Sequence, residues 1–314
     1  MILVVIMKSK FLVLAALLGT HHLGFGVVVI SGAANSTAPS GQPYFGNVGI
    51  VGGGSAIYLG NGWVMTAAHV AGGLPASVTF GGNVYTTQPG TFNRLHDPAT
   101  LGNPVPTVTD AVLFRLASDP GLPWLTFANS TPTVSSTVMM IGSGRQQLGS
   151  PTYWNVDVIA GPDNDVWTEL GSGVGAEAAG FKTSETRVTK WGVNEVTTTG
   201  IDLNYGAGPV SLFTTTFDDG AFLQEAQAVI GDSGGAVFTN PGSGWQLSGM
   251  MLSVGLYENQ PTGAQSAVLG NLTYSADISA YRSEILTITS IPELNGVTLF
   301  AAGFGALALR RRRI

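Results

Sequence analysis

Val229-Ile230-Gly231-Asp232-Ser233-Gly234-Gly235-Ala236-Val237-Phe238 places one serine among three glycines, directly ahead of a short apolar run. Glycine tolerates backbone angles that other residues avoid, so a chain built this way turns tightly around Ser233 and can aim the amides of Gly231 and Ser233 into one pocket. A serine hydroxyl is a weak nucleophile until a base takes its proton and donors meet the oxyanion that forms. Taken alone the run also fits an ordinary turn, since each of its polar and small residues is a turn former. Working outward, Gly62-Trp63-Val64-Met65-Thr66-Ala67-Ala68-His69-Val70 delivers an imidazole at the end of an apolar strand, behind two small alanines. Between the two, Thr109-Asp110-Ala111-Val112-Leu113-Phe114-Arg115-Leu116 sets a carboxylate at the head of another strand. Asp97 is a rival, but Pro98 follows it and no apolar strand does.

The three segments, in the order His, Asp, Ser, resemble the trypsin/chymotrypsin family of serine proteases. Gly231-Asp232-Ser233-Gly234-Gly235 is similar to that family's Gly-Asp-Ser-Gly-Gly signature, Thr66-Ala67-Ala68-His69 to its Thr/Ser-Ala-Ala-His strand end, and Asp110-Ala111-Val112-Leu113 to its Asp-Ile-Ala-Leu strand. The resemblance implies an all-β chain of two six-stranded antiparallel barrels with a C-terminal helix. It implies His69, Asp110 and Ser233 as a catalytic triad, the amides of Gly231 and Ser233 as an oxyanion hole, a protein or peptide substrate, and no cofactor. It also implies Gln227 at the base of the specificity pocket, with Ser253 and Gly255 on the strand that pairs with substrate. Gln227 carries no charge, which points to neutral side chains ahead of the cleaved bond. Ile50-Val51-Gly52-Gly53 looks like the family's activation sequence but lies too close to His69 for the strands that belong between them. Asp232 then needs an internal cation, and Arg145 is the candidate.

Composition agrees with a β-rich body. The chain has 314 residues, of which 44% are hydrophobic and only 10% charged, and 44 glycines and 16 prolines favour many short strands and turns. The runs Ser55–Leu59, Trp63–Thr66, Ala111–Phe114, Thr137–Ile141 and Gln246–Met251 read as strands, and residues 275–286 carry Ile278, Tyr281, Ile285 and Leu286 at helical spacing. Residues 152–226 fit the family pattern poorly, and the Gly-rich and acidic loops there, such as 160–179 and 216–220, read as insertions around the cleft. A net charge of −6 offers no basic face for nucleic acid. No cysteine is present, so disulfides and thiolate metal sites are excluded. Asp163, Asp165, Asp218 and Asp219 lack a regular calcium-ligand spacing, and no metal is expected.

Both ends read as addresses. Met7-Lys8-Ser9-Lys10 followed by apolar 11–18 has the form of a secretory leader, and Ser31-Gly32-Ala33-Ala34 offers small residues for its cleavage, giving a leader over 1–34 and a protease domain over 35–289. At 290–314, Pro292-Glu293-Leu294, apolar 297–309 and Arg310 to Arg313 resemble a PEP-CTERM sorting signal, with Leu294 where that signal has a second proline. This resemblance implies a sorting protease at the inner membrane as partner, transient membrane contact through the tail, and a periplasmic, surface or extracellular location. The competing reading is a catalytically silent, surface-displayed scaffold or adhesion protein with the same fold. An esterase of the α/β-hydrolase type is disfavoured, because Gly231 to Gly235 is not a Gly-x-Ser-x-Gly elbow and the order of the three residues differs.

Overall fold

The computed structural model describes residues 27–31, 35–161, 164–204, 206–220 and 222–292. Among these, strand β1 (Val28–Val29) comes first, followed by β2 (Val48–Val51), β3 (Gly54–Gly60), β4 (Trp63–Thr66), β5 (Ser77–Phe80), β6 (Asn83–Thr86), β7 (Asn93–His96) and β8 (Val108–Arg115). Strands β2 to β8 form one sheet in the order β6-β5-β2-β3-β4-β8-β7. A bridge between Thr87 and Leu116, just past the ends of β6 and β8, joins the two sides. The expected ring of six strands is thus present, with β7 added outside it.

Period-two patterning explains why these strands pack as they do: successive side chains leave a strand on opposite faces. On β3, Ala56 and Tyr58 join Val64, Val78, Phe80 and Phe114 in one cluster. Ile57 and Leu59 point the other way, into a cluster shared with Ile141, Phe238 and Met250 of the second half. All four β3 side chains are fully buried, so the strand welds the two halves together. The β3–β4 turn runs through Gly60, Asn61 and Gly62, all at positive φ, which is why that glycine-rich triplet sits between two apolar runs.

The second half continues with β9 (Thr137–Gly142), β10 (Arg145–Gln147), β11 (Thr152–Asp157), β12 (Val166–Leu170), β13 (Ala178–Arg187), β14 (Lys190–Asn204), β15 (Pro209–Thr216), β16 (Ala226–Gln227), β17 (Ala236–Thr239), β18 (Gln246–Gly255), β19 (Ser266–Val268) and β20 (Leu272–Asp277). Six of these close a barrel in the order β14-β15-β20-β18-β17-β9. Residues 152–226 divide: β14 and β15 are strands of this barrel, whereas β11, β12 and β13 join β10 and β19 in a separate sheet, β10-β13-β11-β12 with β19 also on β13, packed around Trp154 and Trp167.

Helix α1 (Ile278–Thr289) closes the described chain. Asp277 caps it by accepting from Ser279 N at 2.9 Å, and Ile278, Tyr281, Ile285 and Thr289 form its buried side. It begins three residues later than the expected 275, because Ser275 to Asp277 complete β20, the strand that closes the barrel between β15 and β18. His96 Nδ1 lies 2.6 Å from Glu284 Oε1, and His96 N donates to Glu284 Oε2 at 2.9 Å, fastening α1 to β7 of the first half.

One boundary needs correction. Val27, Val28 and Val29 are fully buried, and β1 pairs antiparallel with β16. A leader ending at Ala34 would therefore carry off a strand of the fold. Residues 1–26 and 32–34 of that segment, Asp163 and the sorting segment from Glu293 onward lie outside the described residues. Among the described residues no helix is long and apolar enough to cross a membrane.

Candidate active site

Strand β4 lies beside β8, with Thr66 opposite Val112, so the residues that follow β4 arrive next to those that start β8. The chain turns immediately after β4: Val70 N and Ala71 N both donate to Ala67 O at 3.1 Å. Ala67 and Ala68 are buried and small enough to let the turn press against β8. Asp110, fully buried, then receives two hydrogen bonds from one residue: His69 N donates to Oδ1 at 2.8 Å, and His69 Nδ1 lies 2.6 Å from Oδ2. A proton on Nδ1 shared with the carboxylate leaves Nε2 with a free lone pair on the open side of the ring.

Ser233 comes from the second half. Its loop is threaded between barrels: Ser55 N donates to Ser233 O at 2.7 Å, Ser55 Oγ donates to Gly231 O at 2.8 Å, and Ser143 N donates to Ser55 Oγ at 2.8 Å. Gly234 has φ +85°, and a Cβ there would stand 2.2 Å from Ser55 O and 2.4 Å from Thr66 Oγ1, so no other residue fits this approach. The Ser233 hydroxyl donates to Leu252 O at 3.1 Å. His69, Gly231 and Ser233 all border one cavity of about 490 Å³. Among the described residues, neither Gly231 N nor Ser233 N is used in a hydrogen bond. Two unengaged donors beside a serine, with an oriented imidazole on the same cavity, can hold a developing oxyanion while a proton moves.

The pocket residues divide. Ser253 borders the cavity; Gln227 and Gly255 do not. The Gln227 side chain is turned away, donating from Nε2 to Leu272 O at 3.0 Å, and Gly255 backs onto Leu272 and Tyr274 of β20. Ala228, Val254 and Ala264 stand at the wall instead, and among the described residues no carboxylate borders the cavity.

Asp232 is completely buried. Its Oδ1 accepts from Gly144 N at 2.8 Å and its Oδ2 from Val229 N at 2.9 Å. Burial pushes its carboxyl up to about 7, against the pull of those two amides and of the Arg187 and Lys190 charges. Arg145, the expected partner, instead donates to Gln265 Oε1 at 2.8 Å and faces Glu185, so the internal cations are Arg187 and Lys190. Arg187 grips four backbone carbonyls: Ser143 O from Nε at 2.9 Å, Gly52 O from Nη1 at 2.9 Å, and Gly54 O and Gly231 O from Nη2 at 2.6 and 3.2 Å. The fully buried Lys190 is lowered by desolvation to about 8, with Asp232 pulling the other way.

Glu225, also buried, accepts from Asp218 N at 3.0 Å and is raised to about 7 by burial, with the Asp218 and Glu195 charges adding to the rise. Both raised carboxyls hold a proton in the folded chain at pH values where the unfolded chain has lost it. Their contribution to stability is present below the ordinary carboxyl values and is lost as pH rises through about 7. Urea unfolding should accordingly give a stability lower at pH 8 than at pH 5, by several kcal/mol. A higher stability at pH 8 would contradict the assigned burial of these groups. Among the described residues no cluster of three or more histidine or acidic side chains could hold a metal ion.

No family model matches the chain, and no curated protein matches it in sequence. Solved structures do match. The crystal structure of Rv3671c protease in an inactive form is 15% identical, with 78% of this chain and 90% of that one covered, at a TM-score of 0.43. A serine-to-alanine mutant of Rv3671c from M. tuberculosis H37Rv, also in an inactive form, is 14% identical, with coverages of 80% and 91% and a TM-score of 0.40.

Proposed function

We propose that the chain is an exported serine endopeptidase that cleaves peptide bonds through an acyl-enzyme on Ser233. The observation that carries this reading is the His69–Asp110 pair, with its 2.6 Å bond, on the same cavity as Ser233 and two unengaged amides. Ser233 Oγ leaves Leu252 O by rotating about its Cα–Cβ bond and attacks the substrate carbonyl carbon as Nε2 of His69 takes its proton. The carbonyl oxygen becomes an anion held by Gly231 N and Ser233 N. Collapse breaks the C–N bond, His69 returns the proton to the leaving amine, and the acyl group stays on Ser233. Water, activated by the same imidazole, then adds to the ester carbonyl and releases the acid, restoring the hydroxyl. Asp110 holds the ring and stabilises its charged form throughout.

Apolar walls at Ala228, Val254 and Ala264 favour a neutral, small or medium apolar side chain ahead of the cleaved bond. Export is supported by the basic start and apolar core of the leader, and by the tail over 290–314, which would engage a sorting protease at the inner membrane.

The test is labelling of the intact protein by a fluorophosphonate, with the adduct mapped by peptide mass spectrometry. A single adduct on Ser233 is expected. No adduct on a folded sample would leave the silent scaffold as the reading. Digestion of a mixed peptide library should then give cuts mainly after neutral apolar residues, and cuts mainly after Lys or Arg would overturn the pocket assignment.

A further inference from the structure

We infer that the leader is removed at the Gly26–Val27 bond, so that Val27 begins the mature chain and β1 stays in place as a buttress of the substrate pocket. The inference rests on the reading of the protein as exported, and carries it to one bond.

A run of four apolar residues, Val27-Val28-Val29-Ile30, suits the end of a leader and a buried strand equally well. The structure distinguishes the two by what surrounds it. Val28 pairs with Gln227 and Val29 with Ala226, and Ile30 N donates to Glu225 O at 2.9 Å. Gln147 serves both backbone groups of Val29: Val29 N donates to its Oε1 at 2.9 Å, and its Nε2 donates to Val29 O at 3.0 Å. Gln147 is itself only 3% exposed, so its amide has been buried to meet this strand. Val27 and Val29 pack in one cluster with Ala228, Val254 and Ala264, which wall the cavity beside Ser233. Val28 packs on the other side, against Phe181, Phe217 and Val229.

Cleavage after Ala34 would take this strand away. It would leave the β16 edge and the Gln147 amide buried without partners, and would strip the backing from three residues of the pocket wall. The sequence provides an earlier site. Gly24-Phe25-Gly26 sets small residues three and one positions ahead of Val27, the pattern a leader peptidase accepts. Counted from Met7, the basic start, the apolar stretch and this site fall in the order and within the length of a secretory leader. Water adds across the Gly26–Val27 amide, leaving a carboxylate on Gly26 and an ammonium on Val27.

The full chain should be produced in an exporting Gram-negative host, and the exported form analysed by N-terminal sequencing and intact mass. A terminus at Val27 is expected. A terminus at Asn35, a terminus ahead of Val27 or an uncut chain each overturns the inference. Gly26→Leu should abolish the Val27 terminus and accumulate precursor, while Ala34→Leu should leave processing unchanged; the reverse pattern also overturns it. A Val27 terminus on a protein that takes no fluorophosphonate would sink the protease reading and leave this inference standing.

Discussion

Ser233→Ala is expected to lower kcat by about 10⁶-fold, and Asp110→Asn by about 10⁴-fold, with KM close to that of the parent in both. The first removes the atom that bonds to the substrate. The second acts through His69. Asp110 accepts from both Nδ1 and the backbone N of that residue, and an asparagine has one acceptor oxygen for the two donors. If the amide NH₂ faces the ring, Nδ1 must become the acceptor and Nε2 carries the proton, which is the wrong tautomer for a general base. Initial rates on a peptide substrate, with far-ultraviolet circular dichroism to confirm folding, check both. An Asp110→Asn protein that folds and keeps full kcat would remove the carboxylate from the mechanism.

Arg187→Ala is expected to lower kcat by about 10²-fold and stability by about 3 kcal/mol. Truncation frees four carbonyls and takes a positive charge from the surroundings of the buried Asp232. One of the four belongs to Gly231, which borders the cavity and is one of the two proposed oxyanion donors, so the oxyanion pocket loses a brace. Arg187→Lys should recover only part of the loss, because an ammonium cannot span carbonyls on both barrels as the planar guanidinium does. A structural role alone would lower stability without slowing acylation. The rate of fluorophosphonate labelling, measured well below the melting temperature, separates the two. Unchanged labelling would show that Arg187 supports the fold and not the site.

The proposed catalytic residues stand out in the sequence because each sits in a short segment whose neighbours are dictated locally. Two alanines ahead of His69 and glycines around Ser233 are needed for close backbone approach, and such needs leave a mark in consecutive residues. Arg187 and Lys190 left no such mark. They reach Asp232 only after an inserted sheet has brought the chain back, and nothing near Asp232 in the sequence points to them. Gln227 failed for a different reason: counting from Ser233 locates a backbone position but not the direction of a side chain, and here that side chain binds Leu272 O. The valines of β1 fell inside the expected leader span because an apolar leader and a buried strand have the same composition, and only their neighbours tell them apart.

Ser55 belongs to the first barrel, and its oxygen accepts from Ser143 while donating to Gly231, both of the second. This single hydroxyl acts as a dowel through the seam, set directly behind the loop that bears Ser233. Any slip of one barrel along the other is transmitted to that loop first. The alignment of the catalytic groups is thus also a gauge of how the two halves are seated.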